Sequence, residues 1–177
     1  RGRDQARIVD AEPFPVAQHA VLDAHLVEIA AGVEHLGVVV AGAFEHGVVG
    51  LGAIGAMVAN AAIELGMKVI GYDPAISIEA AWRLSNQVEK QESMPALLAK
   101  SDFVSLHLPM LDSTRNLIDE KAVNYFKSGA VLLNFSRDAI VNTKAILQGL
   151  DSDKVRKYVC DFPTQELLNH EKAILMP

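Results

Sequence analysis

From residue 46 onward the chain alternates short apolar runs with stretches of helical periodicity. The runs at 47–50, 68–72, 103–108, 131–135, 157–160 and 173–176 predict strands. The stretches at 53–65, 78–84, 94–99, 119–126 and 143–150 predict helices. The punctuation agrees. Gly66 is placed as a left-handed cap after the first helix, Ser93 and Asn142 stand where N-caps belong, and the fourth helix opens on acids and closes near Gly129. Strands alternating with helices of this length imply right-handed crossovers and an α/β architecture, a parallel sheet with helices on both faces. Ahead of this, residues 16–31 pattern as an amphipathic helix entered through Pro13 and Pro15, and residues 36–40 as a short strand. No internal repeat or low-complexity tract is present.

Composition adds a seam to this picture. Residues 1–45 contain no Lys and no Asn, whereas residues 46–177 contain nine and seven. We therefore read 1–45 as either a separate element or a segment of different origin, and 46–177 as the folded domain. At 177 residues, 50% hydrophobic and 21% charged, the chain has the balance of one globular domain, and whole-chain disorder is excluded. A net charge of -6 leaves no basic surplus to neutralise phosphates, which argues against a general nucleic-acid binder. The single Cys160 excludes an internal disulfide framework and points to a reducing, cytoplasmic compartment. The most apolar stretch, 36–63, is broken by Glu45 and His46, so no membrane span is expected. No signal peptide is legible either, because Asp10 and Glu12 follow the basic residues 1–7 directly.

The chemistry is concentrated at the first predicted strand–helix junction. Gly50, Gly52 and Gly55 form a GxGxxG directly after Val48 and Val49 and directly before a helix, and Asp73 follows 23 residues later at the end of the second strand. Each residue type has a reason to be there. Gly50 permits the tight turn, Gly52 lets the backbone approach a pyrophosphate, and Gly55 lets the helix pack close to the strand. The helix N-terminus offers unpaired N–H groups and a positive dipole end to the phosphates. Asp73 accepts from adenosine ribose hydroxyls and repels a 2'-phosphate, so the expected cofactor is NAD rather than NADP.

Several further motifs follow in order: residues 71–74 (Gly-Tyr-Asp-Pro), 105–109 (Ser-Leu-His-Leu-Pro), 114–118, 132–137 (Leu-Leu-Asn-Phe-Ser-Arg) and 161–163. Together with the fingerprint they make the chain resemble the D-isomer-specific 2-hydroxyacid dehydrogenases over about 130 residues, and within that family the 3-phosphoglycerate-oxidising subgroup. The resemblance implies a Rossmann-type doubly wound sheet and NAD. It extends the cofactor set to Ala53, Ile54, Tyr72, Pro74, His107, Leu108, Pro109 and Ser136. It also implies roles. Arg137 holds the substrate carboxylate and polarises its carbonyl, Asp161 stands near the nicotinamide carboxamide, and Glu166 orients the catalytic histidine. In the family that histidine directly follows a proline such as Pro177, so the resemblance places the base beyond this sequence and marks the chain as a fragment that binds NAD without turnover. Asp138 and Ala139 stand where many members carry two glycines.

The substrate implied for a full-length enzyme is a small 2-hydroxy or 2-keto acid, and a homodimer is the assembly the resemblance suggests. Two other readings stay open: a glycerate or hydroxypyruvate reductase of the same family, and a non-enzymatic NAD-sensing interaction module. Trp82 and Cys160 are expected to pack in the interior. His107 is as much a candidate core histidine as a cofactor contact. His19, His25, His35 and His46 show no metal-ligand spacing, so no metal is expected.

Overall fold

A computed structural model describes residues 44–162 and 164–176. The predicted helix at 16–31, the strand at 36–40 and Pro177 lie outside the described residues. Seven strands, all paired in parallel, form one sheet: β1 (Glu45–Val49), β2 (Lys68–Tyr72), β3 (Glu89–Lys90), β4 (Phe103–Leu106), β5 (Ala130–Asn134), β6 (Val155–Cys160) and β7 (Ala173–Leu175). Their order across the sheet is β3-β2-β1-β4-β5-β6-β7. The chain thus winds outward one way from β1 and then returns to wind the other way from β4. This is the doubly wound Rossmann-type arrangement, whose switch point between β1 and β4 opens a crevice at the carboxyl ends of the strands.

The helices among the described residues are α1 (Ala53–Glu64), α2 (Ile78–Arg83), α3 (Met94–Lys100), α4 (Glu120–Tyr125), α5 (Thr143–Asp151) and α6 (Gln165–Leu168), with a 3-10 turn at Asp138–Ile140. One sheet face packs Val49, Ile70, Val104, Leu106 and Leu132 against Leu97 and Leu98 of α3, Val123 of α4 and Ile146 and Leu150 of α5. The opposite face packs Val48, Val69, Phe103, Val131 and Leu133 with Ala59 and Ala62 of α1. Burial on both faces is why these strands read as near-continuous apolar runs rather than alternating ones.

Some predicted boundaries moved, for identifiable reasons. The first strand starts at Glu45, so the compositional seam falls inside β1. The strand predicted at 103–108 ends at Leu106. Pro109 has no N–H to give, and the Leu108 N–H donates to Ser136 Oγ (3.3 Å) instead of a ladder. Asp119, Leu84 and Phe126 cap their helices rather than continue them. Gly66 does adopt the left-handed conformation, at φ 81. Trp82 does not pack as expected. It is 84% exposed on α2, a helix with no buried residue whose C-terminal end is held by Asn60 through the Arg83 carbonyl and the Ser85 N–H. Cys160 is buried, and burial pushes its thiol upward in pKa, as befits a core residue.

Candidate functional site: a nucleotide crevice at the carboxyl edge of the sheet

Parallel strands deliver all their carboxyl ends to one edge. Reading along it, β2 ends at Asp73, β1 at the glycine turn, β4 at His107–Pro109, β5 at Ser136 and Arg137, and β6 at Asp161. These residues run from Gly50 to Asp161 in the sequence and are brought to one edge by the strand order. With neighbouring strands about 4.8 Å apart, β2 to β6 spans roughly 19 Å, suited to an extended dinucleotide.

The glycine turn shows a division of labour. Gly50 sits at φ 90, and a Cβ there would lie 2.5 Å from the His107 carbonyl oxygen. A Cβ on Gly55 would lie 1.9 Å from the Gly50 carbonyl oxygen. Both are needed by the fold itself. Gly52 differs: it has ordinary extended backbone (φ -67), and a Cβ there would meet nothing within 4 Å. Its missing side chain leaves open space above the turn. That space lies at the start of α1, whose N-cap, Gly52, makes no side-chain hydrogen bond. The other five α-helices among the described residues are all capped, by Ser77, Ser93, Asp119, Asn142 and Thr164. The one uncapped helix start is therefore the one aimed at the crevice, with its first-turn N–H groups available to an anion. The residues present fit a dinucleotide pyrophosphate.

Asp73 does more than wait for a ribose. Its Oδ2 accepts the Leu51 N–H (2.8 Å) and its Oδ1 accepts the Ala75 N–H (2.9 Å). The carboxylate thus ties the glycine turn to the end of β2, and each oxygen keeps acceptor capacity for a hydroxyl. Tyr72 is half-buried, and Pro74, Ala53 and Ile54 are exposed around the same opening.

On the other side of the switch point, Ser136 Oγ accepts from the Leu108 N–H and donates to the Leu106 carbonyl, bridging the ends of β4 and β5. Asn134, fully buried, was not singled out from the sequence. Its Oδ1 accepts the Ser136 N–H (3.1 Å), and its Nδ2 donates to the Arg137 carbonyl (2.9 Å) and to Tyr158 Oη (3.4 Å). This clamp sets the backbone from which the exposed Arg137 projects. Arg137 Nη1 donates to the Ser136 carbonyl (2.5 Å), and Asp138 turns its carboxylate onto the Ala139 N–H (2.5 Å). Asp161 and Glu166 are both exposed, the latter in the first turn of α6 behind the Thr164 cap.

His107 is placed at the glycine turn. Its N–H donates to the Val49 carbonyl (2.8 Å), and its Nε2 lies 3.1 Å from Ser105 Oγ. The same hydroxyl lies 2.8 Å from His46 Nε2. Burial lowers both imidazoles to a pKa of about 4, His46 being lowered further by the charge of His107. His170 is engaged elsewhere, with Asp151 Oδ1 (3.2 Å) and the Lys172 N–H (3.2 Å). No helix among the described residues is long and apolar enough to cross a membrane.

Known proteins match this geometry. The model for the D-isomer-specific 2-hydroxyacid dehydrogenase NAD-binding domain matches residues 36–177. The D-3-phosphoglycerate dehydrogenase of Methanocaldococcus jannaschii is 34% identical over 120 residues, covering 68% of this chain and 22% of that protein. The (S)-sulfolactate dehydrogenase of Chromohalobacter salexigens is 41% identical over 129 residues, covering 72% and 41%. The chain therefore spans between about a fifth and two fifths of the length of these relatives. Among solved structures, the D-lactate dehydrogenase of Lactobacillus jensenii with NAD+ superimposes with a TM-score of 0.74 over 96% of this chain and 60% of that one, at 23% identity, a likeness of fold.

Proposed function

Because the chain belongs to the NAD-binding domain family of the D-isomer-specific 2-hydroxyacid dehydrogenases, we propose that it forms the cofactor half of an oxidoreductase acting on a phosphorylated 2-hydroxy acid, 3-phosphoglycerate, and yielding 3-phosphohydroxypyruvate. The observation that carries this reading is the single edge on which Asp73, the uncapped α1 and Arg137 are lined up in that order. Gly50, Gly52, Ala53, Ile54 and Gly55 hold the pyrophosphate. Tyr72, Asp73 and Pro74 hold the adenosine end, and His107, Leu108, Pro109, Ser136 and Asp161 line the rest of the crevice. When bound, the cofactor supplies hydride transfer at its nicotinamide ring.

The chain's own residues do the positioning. Arg137 presents a permanently charged fork, suited to two oxygens of a substrate carboxylate, from a backbone fixed by Asn134. Glu166 is the carboxylate that orients a histidine base. Among the described histidines, His46 and His107 share the Ser105 hydroxyl and His170 is held by Asp151, which supports a chain that binds NAD without turning substrate over on its own. The protein is proposed to be cytoplasmic and homodimeric. The similarity to a sulfolactate dehydrogenase keeps a second substrate class in view, a 2-hydroxy acid with a sulfonate in place of the phosphate.

Calorimetry with NAD and NADP on the 177-residue chain tests the cofactor reading. NAD is expected to bind and NADP to bind at least about tenfold more weakly, a difference of about 1.4 kcal/mol. Gly52→Val should abolish both while leaving the fold intact, since nothing in the protein occupies the space it would fill. Equal binding by wild type and variant would overturn the assignment. Turnover of 3-phosphoglycerate by the isolated chain would overturn the claim that it acts only as the cofactor half.

A further inference from the structure

Behind the glycine turn the half-buried His107 meets a buried histidine, His46, and a buried serine, Ser105, which cofactor binding as described leaves unexplained. His46 and Ser105 are 5% and 6% exposed, on the adjacent strands β1 and β4. With His107 they border a cavity of about 20 Å³ whose remaining wall is Ala62, Leu65, Met67, Leu133 and Phe135. We propose that His46, Ser105 and His107 form a hydrogen-bond relay that dictates which nitrogen of His107 carries its proton, and so positions His107 and the glycine turn packed on it for cofactor binding.

The direction of the relay follows from counting protons. A serine hydroxyl has one proton, and two imidazole nitrogens face it at 2.8 and 3.1 Å. His46 Nδ1 is buried and has no hydrogen-bond partner among the described residues. An N–H stranded there is worse than a bare lone pair, since orphaned buried N–H groups are the rarest kind. The cavity has room for one water, but a water needs two to four polar partners and the rest of the wall is apolar. His46 Nδ1 is therefore bare, and its proton sits on Nε2, donating to Ser105 Oγ. The serine hydroxyl then donates to His107 Nε2, which leaves the His107 proton on Nδ1. No acid or base intervenes: the strand neighbours of His46 are Val69 and Phe103, and the α1 residues at the cavity are Ala62 and Leu65.

The consequence reaches the cofactor turn because His107 supports it. The His107 carbonyl lies where a Gly50 side chain would be, and its Cβ lies 3.3 Å from where a Gly55 Cβ would be. A change in the tilt of His107 is felt by both glycines.

This inference rests on NAD binding at the turn, and the experiment separates the two. In the 177-residue chain labelled with 15N-histidine, imidazole shifts should show His46 as the Nε2–H tautomer and His107 as the Nδ1–H tautomer, both neutral down to about pH 5. Ser105→Ala should mix the His107 tautomers, because no hydroxyl then directs its Nε2. It should also weaken NAD by about 3- to 10-fold, the weight of one buried hydrogen bond. Ser105→Thr, which keeps the hydroxyl, should restore the wild-type tautomers and affinity. A His107 proton on Nε2 in wild type, or unmixed His107 tautomers or an unchanged NAD affinity in Ser105→Ala, overturns the relay. A wild type with these tautomers but no NAD binding overturns the cofactor reading and the positioning role, leaving the tautomer assignment standing.

Discussion

The three glycines of the turn are chemically identical and physically different, and substitutions should separate them. A methyl at Gly55 collides with backbone, at 1.9 Å from the Gly50 oxygen, and backbone cannot move aside as a flexible side chain can. Gly55→Ala is therefore expected to destabilise the chain by about 2–4 kcal/mol, in the range of core overpacking and above, measured as a lowered urea midpoint at unchanged slope. Asp73 tests a different residue-scale claim, that one carboxylate serves both fold and ligand. Asp73→Asn retains only one acceptor for two backbone N–H groups and removes the charge facing a 2'-phosphate. The expected result is a stability loss of about 1–3 kcal/mol together with an NAD over NADP preference reduced by about tenfold, read from unfolding curves and calorimetry. A variant that kept its cofactor preference would restrict Asp73 to the turn. The spacing from Gly50 is what suggests a ribose role for this residue in the sequence. It did not show the hydrogen bonds to Leu51 and Ala75, because which backbone groups lack partners depends on how the turn closes.

At the scale of elements, the missing cap on α1 is what the proposed pyrophosphate site requires. Among the described residues five helices begin at a Ser, Thr, Asp or Asn that satisfies one of their first N–H groups, and α1 starts on a glycine that satisfies none. Gly52→Asp should supply the missing cap and complement the helix dipole, raising stability by a few tenths of a kcal/mol, while its charge excludes the pyrophosphate and NAD binding is lost. A more stable chain that still bound NAD would mean that α1 does not meet the phosphates. The elements themselves were largely legible, because apolar runs buried on both faces and caps such as Ser93 and Asn142 are local signals. Three small elements were not: β3, the 3-10 turn and α6 are four residues or fewer and carry no period. The exposure of Trp82 was equally hidden, since a helix held by Asn60 to the Arg83 carbonyl and the Ser85 N–H needs no apolar face. The Asn134 clamp on Arg137 went unseen for a related reason, as its partners Ser136 and Arg137 are neighbours in sequence but Tyr158 is not.

For the molecule as a whole, the sheet order that builds the crevice also buries two ionisable groups beside it. Pairing β1 with β4 brings His46 and His107 to the same serine, and no carboxylate is there to stabilise their charged forms. Their folded pKa values are lowered from 6.5 to about 4, with burial the main cause. The unfolded chain therefore binds more protons than the folded one between those values. Stability is fully present above about pH 6.5 and is lost as pH falls toward 4. Each histidine contributes a slope of up to about 1.4 kcal/mol per pH unit in that window, so by pH 5 the pair costs on the order of 2–4 kcal/mol. Against a typical total of about 5–15 kcal/mol this is a large fraction. Unfolding midpoints measured at pH 7.5, 6 and 5 should fall across both intervals, about twice as steeply per pH unit across the second. His46→Gln should remove roughly half of the fall, because it deletes one titrating group and relieves the repulsion that the first proton imposes on the second. A midpoint that stayed level down to pH 5 would mean that water reaches the His46–Ser105–His107 cluster, and the tautomer argument would fall with it.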